Sequence, residues 1–206
     1  MTEDEAGAWI RERFGVSRET QLDHYAALLR AEAANQNLIA ASTLDTLWAR
    51  HFVDSAQLVP LASDASRGTW LDVGSGAGLP GLVAAILLDR PVVLVEPRTR
   101  RVEFLRHVVS ELRLPRVTVQ QSKVESYRPT NRAAIVSARA VAELSQLLAS
   151  TAHCTDSSTI WLLPKGQNAQ SEVVAAQTKW QGVFHVEPSI TQPDSGIVVA
   201  RGVRPR

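Results

Sequence analysis

Over the first 66 residues the apolar side chains fall at helical spacing. Leu22, Tyr25, Leu28 and Leu29 recur every three or four positions, and Leu47, Phe52, Ser55 and Leu58 trace a second amphipathic stretch. Residues 2–66 show no strand-like alternation, so a helical lead-in is predicted there. From Trp70 the texture changes to short apolar runs separated by turns and helical patterns: TWLDV, PVVLVE, VTVQQ, AAIVSA, STIWLLP, VFHVEP and GIVVARG. Strands that alternate with helices predict a doubly wound α/β sheet over residues 67–206. The last two runs have only Pro188, Pro193 and Asp194-Ser195-Gly196 between them, too little for a helix. They predict a terminal antiparallel hairpin.

Composition narrows the class. With 206 residues, 45% hydrophobic and 21% charged, the chain suits one globular domain with an extension, here a cap over 1–66 and a main domain over 67–206. No apolar run reaches the roughly 18 residues of a membrane span, and Met1 to Arg13 is acidic and polar rather than signal-like. A cytoplasmic protein without membrane contact is expected. Cys154 is the single cysteine, so no intrachain disulfide forms and no zinc site or other metal centre is indicated. The net charge of +1 conceals a split: residues 1–66 sum to −5 and residues 67–206 to +6. That asymmetry is compatible with a nucleic-acid partner for the main domain.

The chemistry concentrates in Leu71-Asp72-Val73-Gly74-Ser75-Gly76-Ala77-Gly78-Leu79-Pro80-Gly81, which joins the first strand to a helix starting near Pro80. Gly74, Gly76 and Gly78 permit a sharp turn and leave room for a ligand. Asp72 at the strand end is suited to organising the loop or accepting hydrogen bonds from the ligand. Glu96 ends the next strand, Pro91 to Val95, where a carboxylate can grip two ribose hydroxyls. A nucleoside pocket is predicted. Gly76 to Gly81 also satisfies the dinucleotide pattern G-x-G-x-x-G, which keeps a nicotinamide-dependent oxidoreductase as an alternative beside a small-molecule methyltransferase. The acid two positions before the first glycine favours an S-adenosylmethionine loop.

The chain resembles the bacterial 16S ribosomal RNA guanine N7-methyltransferases, the glucose-inhibited division protein B family. The resemblance rests on Asn37-Leu38, Arg50-His51-Phe52-Val53-Asp54-Ser55, the Asp72–Gly81 loop, Val95-Glu96, Arg101 with Phe104-Leu105-Arg106, Arg139-Ala140 and Lys165-Gly166. It implies a class I methyltransferase (Rossmann-like) fold with a helical cap and S-adenosylmethionine as cofactor. The implied acceptor is a 16S rRNA guanine near the decoding site of the small ribosomal subunit, with no obligate protein partner. It also implies cofactor contacts at Gly74, Leu79, Val124, Glu125 and Arg139. The chain departs from the family pattern at Glu32-Ala33, Lys123 and Ala138.

Guanine N7 has a lone pair and no proton, so such a reaction needs positioning rather than a general base. The five histidines, His24, His51, His107, His153 and His185, show no nucleophile or metal spacing. His51 is expected to tie the cap to the core. Arg139 and Lys165 follow strands on the ligand-binding rim and are the candidates for positioning the acceptor, Arg139 as an exposed cation. Arg98, Arg100, Arg101, Arg106, Arg113 and Arg116 form a basic stretch suited to phosphate or to a solvated helix face.

Overall fold

Thr2 starts the first helix. In the computed structural model, which describes residues 1–206, its hydroxyl accepts the Glu5 N–H at 3.2 Å while the Glu5 carboxylate accepts the Thr2 N–H at 2.8 Å, a reciprocal cap. Helix α1 (Glu3–Phe14) then runs to Gly15, whose φ of +87° turns the chain into α2 (Val16–Glu32). The face of α2 carrying Leu22, Tyr25 and Leu29 is buried, as its spacing predicts.

The stretch from Leu47 to Leu58 is not one regular helix. Following a 3-10 segment (Ala41–Thr46), it is a wide π-type segment (Trp48–Val53) and the short helices α3 (Asp54–Ala56) and α4 (Leu58–Leu61). Two contacts hold the wide turn. The Glu3 carboxylate accepts the N–H groups of Trp48 and Ala49 at 3.0 and 2.9 Å, and the Phe52 ring lies against Tyr25 and Trp48, both at 5.3 Å between centroids. Glu3 and Tyr25 are distant in the chain, so periodicity alone did not reveal the break.

The remainder alternates as the apolar runs predict: β1 (Trp70–Val73), α5 (Gly81–Leu87), β2 (Val92–Val95), α6 (Thr99–Glu111), β3 (Val117–Gln120), β4 (Ile135–Ser137), α7 (Leu144–Thr151), β5 (Ile160–Gly166), α8 (Ala169–Ala176), β6 (Trp180–Pro188) and β7 (Gly196–Pro205). The sheet order is β3-β2-β1-β4-β5-β7-β6. Strands β1 to β5 are parallel, while β7 is antiparallel to both β5 and β6, which makes β6–β7 the terminal hairpin.

The parallel strands read as continuous apolar runs because both faces are covered. One face, with Trp70, Leu94 and Ile135, shares a core with α5, α6 and the helical lead-in through Ile10, Leu22, Tyr25 and Phe52. The other, with Leu71, Val136 and Trp161, packs on α7 and α8. Neighbouring β1 and β4 are where strand order reverses, so the loops leaving them open a crevice at the C-terminal edge of the sheet.

Candidate functional site

The crevice holds two cavities separated by the segment Ala140-Val141-Ala142, which lines both. The first is built from backbone. After β1 the chain passes through Gly74, Gly76 and Gly78 at φ +65°, +56° and +96°, the left-handed region that side chains disfavour. The N–H groups of Gly74 and Ser75 donate to the Val95 carbonyl, and Gly76 N–H donates to Glu96 Oε2 at 2.9 Å. The other oxygen of Glu96 accepts the Arg98 N–H at 3.0 Å, and the Arg101 guanidinium lies 3.9 Å away. Glu96 therefore fastens the loop to the end of β2 while facing the cavity.

This cavity, about 390 Å³, is also lined by Gly74, Ser122, Lys123, Val124 and Glu125. That is a nucleoside-sized space. A Cβ on Gly76 would meet nothing nearer than Arg101 Nη1 at 3.6 Å and the Gly74 carbonyl at 3.7 Å, so the loop is open on its outer side. In the far wall the Ser122 hydroxyl is buried without a hydrogen-bond partner.

Of the loop residues expected at the ligand, Asp72, Gly76, Gly78 and Leu79 are not among those that line this cavity. Asp72 is wholly buried beneath the loop, where its Oδ1 accepts the Ser137 hydroxyl at 2.6 Å and Ser137 in turn accepts the Trp70 indole N–H at 2.7 Å. Burial pushes its carboxyl up to about 6, against the opposing pull of Ser137. Oδ2 has no partner and lies against Gly81, where a Cβ would come within 2.7 Å of it. Asp72 supports the loop from below, because α5 packs too closely over it for a ligand to enter. Gly78 faces the cap: a Cβ there would meet Leu82 and sit 2.8 Å from the Tyr25 hydroxyl, which donates to the Ala77 carbonyl. The Leu79 side chain lies in the core with only 4% exposed. Gly78 and Leu79 line neither cavity.

The second cavity, about 560 Å³, is built from side chains, among them Arg50, His51, Arg139, Lys165, Ser189 and Gln192. Arg139, expected among the cofactor contacts, lines this cavity and not the first. Nor is it a free rim cation. Its Nη1 donates to Asp54 Oδ2 at 3.1 Å and its Nη2 to His51 Nδ1 at 3.2 Å, leaving the side chain 21% exposed.

A guanidinium has no acceptor, so His51 Nδ1 must accept and its proton resides on Nε2. Nε2 lies 2.8 Å from the Thr43 hydroxyl, which donates onward to the Ala40 carbonyl at 2.7 Å. Burial, Arg139 and Arg50 together push the His51 pKa down to about 4, so the ring is neutral near pH 7. His51 thus bridges the cap to the segment after β4.

Lys165 is also engaged. It donates to the Ala142 carbonyl and pairs with Glu172 at 2.9 Å, while Glu172 accepts the Leu144 N–H at 2.7 Å. It braces the dividing segment on α7 and α8 instead of standing as a solvated cation. Within that segment Ala140 has φ +55°, at a cost of about 1–2 kcal/mol for a residue with a Cβ. The strain falls where the chain turns between the cavities.

Asp54 stood in the Arg50–Ser55 motif without a role, and Gln57, Glu172 and the β6–β7 connection from Ser189 to Ser195 were given no part in the site. For Asp54 a signal existed: it lies three residues after His51, a spacing that brings both to one side of a helical turn. The connection carries none. Of the arginines after Glu96, Arg98 and Arg101 line the first cavity, Arg100 donates to the Asn35 carbonyl of the cap, and Arg116 pairs with Asp89 at 2.8 Å.

The sequence pattern of a family described as rRNA small subunit methyltransferase G matches residues 18–194. A protein of Sphingopyxis alaskensis named ribosomal RNA small subunit methyltransferase G is 48% identical over 206 residues, spanning 98% of this chain and 88% of its own. One of the same name from Zymomonas mobilis is 45% identical, spanning 100% and 96%. Among solved structures, an S-adenosylmethionine-dependent methyltransferase from Aquifex aeolicus superposes with a TM-score of 0.61 at 12% identity, covering 84% of this chain and 97% of its own. The glycopeptide N-methyltransferase MtfA complexed with S-adenosylmethionine gives 0.59 at 14%, covering 71% and 86%. At such identities the structures speak for the fold, a class I methyltransferase sheet.

Proposed function

Because the chain belongs to the rRNA small subunit methyltransferase G family, we propose that it transfers a methyl group from S-adenosylmethionine to N7 of a guanine in the 16S rRNA of the small ribosomal subunit. The observation that carries the reading is the wall of Ala140 to Ala142 shared by two cavities, one nucleoside-sized and one lined by Arg50, His51 and Arg139. Cofactor and acceptor would meet beside that segment, where both cavities border it. The first cavity fits the cofactor: it offers the Glu96 carboxylate for ribose hydroxyls, the backbone turn at Gly74, and the Val124-Glu125 backbone for an adenine edge.

The bound cofactor supplies an electrophilic methyl: the N7 lone pair forms the new C–N bond while the S–C pair stays on sulfur. No proton leaves N7, so no general base is needed. His51, neutral and bonded through both ring nitrogens, is placed for structure and not for proton transfer. The protein's work is orientation, which in well-aligned systems lowers a barrier by about 7–11 kcal/mol. Arg139, held by Asp54 and His51, orients the guanine, and Lys165 keeps the dividing wall in place through Ala142. No helix is long and apolar enough to cross a membrane, and a ribosomal substrate supports a cytoplasmic location. The relatives do not favour the nicotinamide-dependent or small-molecule alternatives.

Labelled S-adenosylmethionine, incubated with the protein and small subunits from a strain lacking the homologous enzyme, tests the reading. Label at N7 of a single 16S guanine is expected. Absence of label, or label on another base atom, overturns it.

A further inference from the structure

The Asp54 carboxylate is nearly buried and gathers donors from three separate parts of the chain. Oδ2 accepts from Arg139 at 3.1 Å, and Oδ1 accepts from Gln57 Nε2 and from the Thr191 hydroxyl, both at 3.0 Å. Gln57 reaches the same connection: its Nε2 donates to Ser189 Oγ at 3.2 Å and its Oε1 accepts the Ile190 N–H at 2.9 Å. The wall of the second cavity that contains Ser189, Gln192 and Ser195 thus hangs from the cap through Asp54 and Gln57.

Pairing changes what Arg139 recognises. A free guanidinium seeks phosphate, the strongest anion on RNA, and phosphate contacts carry no base identity. One already neutralised by a carboxylate loses most of that attraction but keeps the directional N–H groups that its two bonds leave unused. Guanine presents the O6 acceptor beside N7, whereas adenine presents an amino donor there. With N7 reserved for the methyl group, O6 is the acceptor left on that edge.

Resting on the reading that the second cavity takes the methyl acceptor, we propose that Asp54 is a positioning residue that converts Arg139 from a phosphate-seeking cation into an oriented donor for guanine O6. Its bond to Thr191 sets the opposite wall in the same act. Asp54 touches no reacting atom. It works through Arg139.

Asp54→Asn keeps the shape and removes the charge. With small subunits from a strain lacking the homologous enzyme and saturating S-adenosylmethionine, kcat should fall about tenfold or more, while KM for subunits stays level or drops. The released guanidinium should add a phosphate contact, so the slope of log affinity against log salt should steepen by about 0.7. Cofactor affinity, measured by calorimetry, should hold within about twofold, since the first cavity lies beyond the dividing wall. In an Arg139→Gln background the same substitution should not steepen the slope.

An Asp54→Asn variant that binds cofactor normally but keeps wild-type kcat and slope overturns the proposal, as does a steeper slope that persists without Arg139. Should Asp54→Asn fail to fold, Arg139→Gln alone decides: lower kcat at an unchanged slope supports the proposal, and a slope shallower by about 0.7 overturns it by showing that Arg139 already holds phosphate. A wild-type protein that transfers no methyl to these subunits instead overturns the function proposed above.

Discussion

The two cavities share a wall but are made differently. The first is a backbone device in which glycine φ angles and strand-end carbonyls shape the space, and the single acid Glu96 locks it from 20 residues away. The second is a side-chain device in which Arg139 meets Asp54 across 85 positions and Gln57 meets Ser189 across 132. Backbone shape tolerates change at most neighbouring positions as long as the turn survives. A side-chain network depends on every member, because a buried partner left alone bears its desolvation cost. The first arrangement suits a cofactor common to many enzymes, and the second suits one particular acceptor.

The strongest attempt to break this division is Arg139→Ala. Methyl transfer to small subunits should fall about a hundredfold, the scale of a misplaced reactant, while S-adenosylmethionine affinity stays near wild type. Melting temperature should also drop, since Asp54 loses its guanidinium. Arg139→Lys should recover little, because an ammonium restores charge but not the planar fork. Single-turnover rates and calorimetry on the same preparations give both readings, and a large loss of cofactor affinity would erase the boundary between the cavities.

Glu96→Ala is the converse. It should weaken S-adenosylmethionine by about 1.5–3 kcal/mol, the range for hydrogen bonds to a charged group, and leave the second cavity intact. Part of the loss comes from Gly76 and Arg98, whose N–H groups lose their acceptor. Glu96→Gln, which retains one oxygen, should fall between. Unchanged calorimetric affinity in folded Glu96→Ala would remove the residue from the site.

The two regions also differ in their response to pH. Asp72, under the loop, titrates near 6 when folded and near 3.8 when unfolded, so the folded state holds the extra proton and this group makes stability fall as pH rises from about 4 to 6. His51, in the other region, titrates near 4 when folded and 6.5 when unfolded; here the unfolded state takes the proton, and stability rises with pH over nearly the same window. The two contributions oppose one another in the wild type. Removing either should unmask the other. Urea unfolding from pH 4 to 6.5 should show a more positive slope of stability with pH in Asp72→Asn and a more negative one in His51→Gln.

The smallest effect is expected at Ser122, whose buried hydroxyl has no partner. Ser122→Ala should not lower the melting temperature, because no bond is lost. It should weaken cofactor binding a few-fold if the ligand uses that hydroxyl. Equal affinity would leave the hydroxyl without a role in the first cavity.

The amino-acid sequence by itself determined the alternation of strands and helices, the terminal hairpin, and the loop from Gly74 with Glu96 beyond it. These follow from local rules: apolar period, turn chemistry, and the short path from one parallel strand to the next. Tertiary structure alone decided that Asp72, Gly78 and Leu79 face inward, since their side depends on how closely α5 and Tyr25 press on the loop. It likewise decided that Arg139 is paired, that Lys165 is spent on Ala142 and Glu172, and that the helix expected near His51 widens around Phe52. Each of these depends on groups far apart along the chain that only folding brings together. Residue spacing records which way a side chain leaves its own element, but not what it meets there.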